Sequence, residues 1–137
     1  HDHNGEAVRP RLLGALAEGR SVAYASEAGT PLVADPGYQL ARAAIGAGHA
    51  VLSAPGPSAV LAALTVSGLP SDRFLFAGFP PAAAGARKAF LAELAGVPAT
   101  LILYESPKRV GRLLREMADA LGDRPACVCR ELTKRFE

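Results

Sequence analysis

The chain has 137 residues, 50% of them hydrophobic, and a formal net charge of +2. That length suffices for one domain or two small ones with a core of their own, and about two-thirds of the unfolded surface should be buried on folding. The charge is too small to argue for nucleic acid by itself, and no apolar run approaches the roughly 20 residues of a membrane span. The opening HDHNGE does not read as a signal peptide, so a soluble, cytoplasmic protein is expected.

In chain order, Val8 to Ala17 has helical spacing, Val22 to Ala25 reads as a short buried strand, and Tyr38 to Ala47 reads as a helix. Ala50 to Ser53 is then expected as a strand, Ser58 to Ser67 as a helix and Phe74 to Ala77 as a strand. This is a βαβ rhythm. The strands are too short and too apolar for exposed hairpins, which predicts an α/β fold with a mainly parallel sheet covered on both faces. GFPPAAAG, from Gly78 to Gly85, interrupts the rhythm and reads as an interdomain hinge, dividing the chain into domains 1–78 and 79–137. Beyond it, a helix is predicted over Ala86 to Leu94, a strand over Thr100 to Tyr104, a helix over Pro107 to Leu121 and a strand over Ala126 to Cys129. The residues after the hinge are few for an independent α/β domain, so the second domain is expected to be incomplete.

The segment Ser26 to Gly37, SEAGTPLVADPG, sits where a strand hands over to a helix, the edge at which open α/β sheets bind ligands. Asp35 and Pro36 read as an N-cap and a first-turn proline, which accounts for the end of the loop. Glu27 to Pro31 is left as the ligand side. Three further loops follow predicted strands: Ala54-Pro55-Gly56-Pro57-Ser58-Ala59, Gly78-Phe79-Pro80-Pro81 and Tyr104-Glu105-Ser106-Pro107. Parallel strands bring such loops to one edge, where a small ligand takes bonds from backbone groups and from the N-terminus of the helix near Ser58.

Basic residues concentrate in the second half, with ten Lys/Arg against seven Asp/Glu from Pro81 onward and five against six before it. In the helix after Tyr104, Ser106 can act as cap and Pro107 as first residue, while Val110, Leu113, Leu114, Met117 and Leu121 form one apolar face. Lys108, Arg109, Arg112 and Arg115 cover the other side, either as a solvated face or as a phosphate-binding surface. Cys127 and Cys129 alternate onto one face of a predicted strand as small core residues, poorly placed for a disulfide. No other cysteine completes a zinc site, and His1 and His3 lie at the start, so no metal is expected.

The run SEAGTPLVADPGYQLARAAIGAGHAVLSAPGPSAVLAALTVSGLP, followed by FLFAGFPP, YESPKRV and RELTKRFE, resembles the bacterial RsmI family. These are 16S ribosomal RNA 2′-O-ribose cytidine methyltransferases of the tetrapyrrole methylase superfamily. The resemblance implies two α/β domains of the class III methyltransferase type, S-adenosylmethionine (SAM) in the cleft between them, and a homodimer. It implies cofactor contacts from Glu27, Ala28, Gly29 and Leu32, from Ser58 and Ala59, and from Tyr104 and Glu105. The partner implied is 16S ribosomal RNA or the small ribosomal subunit, not DNA. Arg130 and Arg135 of RELTKRFE, with Arg109 and Arg112, would contact that RNA. Glu131, Lys134 and Glu105 are the candidates for deprotonating or polarising the ribose hydroxyl, and the spacing picks none of them.

Three departures stand out. The family's N-terminal GTPIGNL-type loop is absent, as is the sequence beyond RELTKRFE, so a partial chain is expected. Glu27 stands where aspartate is usual, and GFPP replaces a GFLP-type hinge. The alternatives are methylation of a small tetrapyrrole precursor, which calls for an enclosed apolar cleft, and a non-catalytic α/β nucleotide-binding module.

Overall fold

A computed structural model describes residues 5–137. Two compact units make up the chain, His1–Ser58 and Ala59–Glu137.

The first unit contains α1 (Gly5–Ala17) and α2 (Tyr38–Gly46), which contact each other. α1 starts earlier than its apolar spacing predicts, and this moves Pro10 from the first turn of the expected helix into the interior, where it has no N–H to donate to the preceding turn. The strands expected at Val22 to Ala25 and Ala50 to Ser53 do not form: the described residues contain one sheet, and it has two strands, both in the other unit. A strand exists only through the ladder a neighbour supplies, and these segments have none. Their apolar side chains stay largely in solvent, with Leu52 90% exposed.

In the second unit α3 (Ala59–Val66) precedes β1 (Phe74–Gly78), α4 (Ala84–Ala95), β2 (Thr100–Leu103) and α5 (Val110–Leu121). β1 and β2 run parallel with α4 as the crossover, so the βαβ element joins two strands that the sequence reading set on either side of the Gly78–Gly85 segment. Phe74 pairs with Thr100, Leu75 with Leu101 and Phe76 with Ile102; the register then shifts so that Gly78 faces Leu103. Such an irregularity leaves a residue out of the ladder and bends the strand, here at the carboxyl end where the loops of interest begin. The Gly78–Gly85 segment therefore lies within the second unit, between two strands that are hydrogen-bonded to each other.

The core of this unit is Val60 and Leu64 of α3, Leu91 and Leu94 of α4, and Leu113 of α5, with α4 against α5. Met117 and Leu121 are half-buried on the same stripe as Leu113, as the periodicity of α5 predicts, while Leu114 is 38% exposed. α5 begins at Val110 instead of Pro107, since Ser106 to Arg109 is a turn in which the Ser106 carbonyl accepts from both the Arg109 and Val110 amides at 3.0 Å. Ser106 thus contributes its carbonyl and not its hydroxyl. The strand expected at Ala126 to Cys129 is absent for want of a ladder partner.

Candidate functional site

In the first unit the loop Ser26 to Gly37 is held by local bonds. The Ser26 hydroxyl donates to the Ala28 carbonyl at 2.6 Å, and the Val33 amide donates to the Thr30 carbonyl at 3.3 Å. The Thr30 hydroxyl donates to the Pro57 carbonyl at 2.8 Å, so the SEAGTP and PGPSA loops, 27 residues apart, are fastened together. Glu27, Ala28 and Gly29 are exposed, and Ser58 is half-buried. Leu32 and Ala34 adopt φ values of 72° and 55°, a left-handed conformation that costs non-glycine residues about 1–3 kcal/mol each and concentrates at functional sites.

Asp35 does not cap α2. The residue at the cap position is Gly37, and no side chain bonds there. Instead Asp35 Oδ2 is buried without a hydrogen-bond partner, an acceptor that a donor on a bound molecule would satisfy. Nothing in the sequence pattern distinguishes this aspartate from a capping one. An open depression of about 470 Å³ also lies in this unit, lined by Arg11, Leu12, Ala15, Arg20, Ser21 and Val22, and includes none of the predicted site residues.

In the second unit the carboxyl ends of β1 and β2 carry Phe79, Tyr104 and Glu105. The Tyr104 amide donates to the Gly78 carbonyl at 2.9 Å. Its ring meets Phe76 and Phe79 edge-on, at 4.8 and 5.4 Å between centroids. The Glu105 side chain is 5% exposed; its Oε1 accepts from the Ser106 amide at 2.7 Å and from Arg109 Nε at 2.8 Å and Nη2 at 2.6 Å. Burial pushes the Glu105 carboxyl up, but the Ser106 amide and the Arg109 guanidinium, with Arg112 beyond, outweigh it and hold the group below its ordinary 4.5. A carboxylate held ionised in this way is a weak proton acceptor and a good holder of positive charge.

That arrangement has a pH signature. The folded carboxyl titrates below the unfolded one, so its contribution to stability is present above pH 4.5 and is lost as pH falls through the lower folded value. Glu105→Gln is therefore expected to lower the urea midpoint near neutral pH, with the gap to wild type closing on acidification below pH 4.5. A gap independent of pH would show that the charge of Glu105 contributes nothing. Arg109 is 39% exposed, so water screens the pair and the effect is modest.

Among the other predicted residues, Glu131 and Lys134 pair with one another at 3.6 Å in an exposed segment, with Glu131 and Thr133 at φ 53° and 64°. Arg109 is committed to Glu105, whereas Arg112, Arg130 and Arg135 are exposed, the last with its guanidinium 5.5 Å from the Phe136 ring centre. Cys127 is exposed and not part of a core, and its Sγ lies 3.7 Å from that of half-buried Cys129. Burial and then the neighbouring thiol push Cys129 up. Among the described residues no group of three His, Cys, Asp or Glu is placed to hold a metal, and His1 and His3 lie outside those residues. No described helix is long and apolar enough to cross a membrane.

The residues most easily missed in the sequence are Arg87 and Glu116. Arg87 is 1% exposed and forms a two-pronged ion pair with Glu116 of α5, Nη2 to Oε1 at 2.8 Å and Nε to Oε2. Its Nη1 also donates to the Pro81 and Ala82 carbonyls at 3.0 and 2.7 Å. The available signal was spacing: Arg87, Leu91 and Leu94 fall at i, i+4 and i+7, so Arg87 lies on the buried stripe of α4.

A parallel βαβ element packed with helices is the frame of an α/β protein. The chain belongs to the Tetrapyrrole (Corrin/Porphyrin) Methylases, whose family profile matches residues 1–137. It is 56% identical over 138 residues to the Ribosomal RNA small subunit methyltransferase I of Mesorhizobium japonicum, covering 100% of this chain and 47% of that protein. The proteins of the same name from Xylella fastidiosa and Vibrio cholerae are 51% and 50% identical, again over 100% of this chain and over 50% and 48% of their own lengths. The chain thus spans about half the length of the curated relatives it matches.

Proposed function

We propose that the full-length protein transfers a methyl group from SAM to the 2′-hydroxyl of a cytidine ribose in 16S ribosomal RNA. The observation that carries this reading is the likeness, along the whole chain, to proteins named Ribosomal RNA small subunit methyltransferase I. The residues suit such a cofactor. Glu27, Ala28, Gly29, Leu32 and Ser58 lie on two loops joined by the Thr30 to Pro57 bond, where the unpartnered Asp35 Oδ2 offers an acceptor. Ala59, Tyr104 and Glu105 are the contacts proposed in the second unit, with the ionised Glu105 carboxylate suited to the positive charge of an amino group or sulfonium.

When bound, SAM supplies an electrophilic methyl group on a positively charged sulfur. The chain's own part is to orient the reactants, an effect worth roughly 7–11 kcal/mol in well-aligned systems. Glu131 and Lys134 are the residues proposed to take up or polarise the hydroxyl proton, because Glu105 is too weak a base in its ion pair. Arg112, Arg130 and Arg135, exposed and basic, are proposed to hold RNA phosphates, and Arg109 to act through Glu105. A homodimer in the cytoplasm belongs to the same reading, as does a division of the full-length protein into two α/β domains.

The test is transfer of labelled methyl from SAM by the full-length protein to naked 16S RNA, assembled small subunits and a tetrapyrrole precursor. Label in an RNA ribose supports the reading; label only in the tetrapyrrole replaces it with the small-molecule alternative. Neutralising Arg112 and Arg135 together should weaken RNA binding and reduce the slope of log K against log salt by up to about one per lost phosphate contact, with SAM affinity unchanged. An unchanged slope returns both arginines to the solvated surface.

A further inference from the structure

A buried guanidinium paired with a carboxylate is an expensive way to join two helices. Packed apolar side chains of similar volume commonly join them as well or better. What an apolar residue does not supply is a donor to backbone carbonyls, and Arg87 supplies two, to Pro81 and Ala82. Pro80 and Pro81 carry no N–H, so this loop has fewer amides with which to brace itself, and its carbonyls must be met from elsewhere.

The braced loop is the one that leaves β1. Its first residue, Phe79, sets its ring against Tyr104; the next, Pro80, is buried; Gly78 accepts the Tyr104 amide. Opposite, Arg87 ties Pro81 and Ala82 to Glu116 on α5, the helix that follows directly on Arg109, the partner of Glu105. The charges also act on one another: Glu105 bears on Arg87, and Arg112 on both Glu105 and Glu116.

We propose that Arg87 is a positioning residue for the methyl-donor site: held by Glu116, its guanidinium fixes the Pro81 and Ala82 carbonyls and so keeps Phe79 against Tyr104, beside Glu105. This rests on the reading that Tyr104 and Glu105 meet SAM. Arg87→Lys keeps the positive charge, but its single nitrogen does not reproduce the planar fork that reaches the carboxylate and both carbonyls at once. Glu116→Gln keeps the two carbonyl bonds and weakens only the ion pair.

The experiment uses the full-length protein, with SAM affinity by calorimetry, KM for SAM and for RNA, and thermal melting. Arg87→Lys is expected to bind SAM about tenfold more weakly, with KM for SAM raised and KM for RNA unchanged; Glu116→Gln should show a smaller loss. A folded Arg87→Lys protein with wild-type SAM affinity overturns the proposal, as does an equal rise in both KM values. Hydrogen exchange on the wild type gives a reading even if a variant fails to fold: the Gly78, Phe79, Ala82 and Ala83 amides should slow when SAM is added, and unchanged exchange also overturns it. A wild-type protein that binds no SAM instead removes the methyl-donor reading on which this role rests.

Discussion

Gly37→Val in the full-length protein is expected to lower SAM affinity at least tenfold, a larger loss than any other single substitution in this loop should cause. Gly37 has φ 123°, where a side chain costs about 1–3 kcal/mol. A Cβ at this position would also lie 2.9 Å from Leu32 Cδ1 and 3.0 Å from Tyr24 Cε1. Leu32 is itself left-handed at φ 72°, so relief by moving it disturbs a residue that is already strained. Gly29→Ala is the control. Its φ is 75°, but nothing lies within 4 Å of an added Cβ, so only backbone strain of about 1–2 kcal/mol is incurred. Calorimetric titration with SAM separates the two, and a Gly37→Val protein that binds as tightly as wild type would place the cofactor away from this loop.

Leu91→Ala should destabilise this chain by about 2–5 kcal/mol, the range for truncating a buried leucine whose surroundings do not collapse onto the gap. Leu91 is 1% exposed on the stripe α4 shares with Arg87, and a small domain has only about 5–15 kcal/mol to lose. Leu52→Ala, at a side chain 90% exposed, should stay within about 0.5 kcal/mol of wild type. Urea melts of both variants decide the matter. Equal midpoints for the two would mean that α4 does not anchor the second unit.

Helices were the most legible part of the fold because each carries its own hydrogen bonds. The apolar spacing of α5 and the start of α2 at Tyr38 are visible without reference to the rest of the chain. β1 and β2 were legible as apolar runs, but their pairing was not: the pattern set them on either side of the interrupting Gly78 to Gly85 segment, and only the ladder joins them with α4 as the crossover. The same reasoning failed at Val22 to Ala25, Ala50 to Ser53 and Ala126 to Cys129. Those runs look no different, but half of a strand's hydrogen bonding belongs to a neighbour that a local pattern does not reveal.

The candidate site divides along the same line. The loop at Ser26 to Gly37 announces itself by its glycines and prolines, since turns of unusual φ favour such residues, and Tyr104 to Pro107 does so by following a strand, since strand ends in α/β folds bind ligands. What each side chain does there is another matter. Asp35 has the sequence of a cap and the structure of an unpartnered acceptor, and Glu105 has the sequence of a base and the structure of an ion pair.

By itself, then, the order of residues determined the helices, the apolar runs of β1 and β2 and the loops that carry polar chemistry, because periodicity and turn chemistry act over a few neighbouring residues. Only the tertiary structure decided which segments find ladder partners, that Thr30 reaches Pro57, and that Arg87 spans to Glu116 and the Pro81 and Ala82 carbonyls. The Thr30 and Glu116 bonds join residues 27 and 29 positions apart, and whether a buried polar group is satisfied depends on what folding brings within about 3 Å of it.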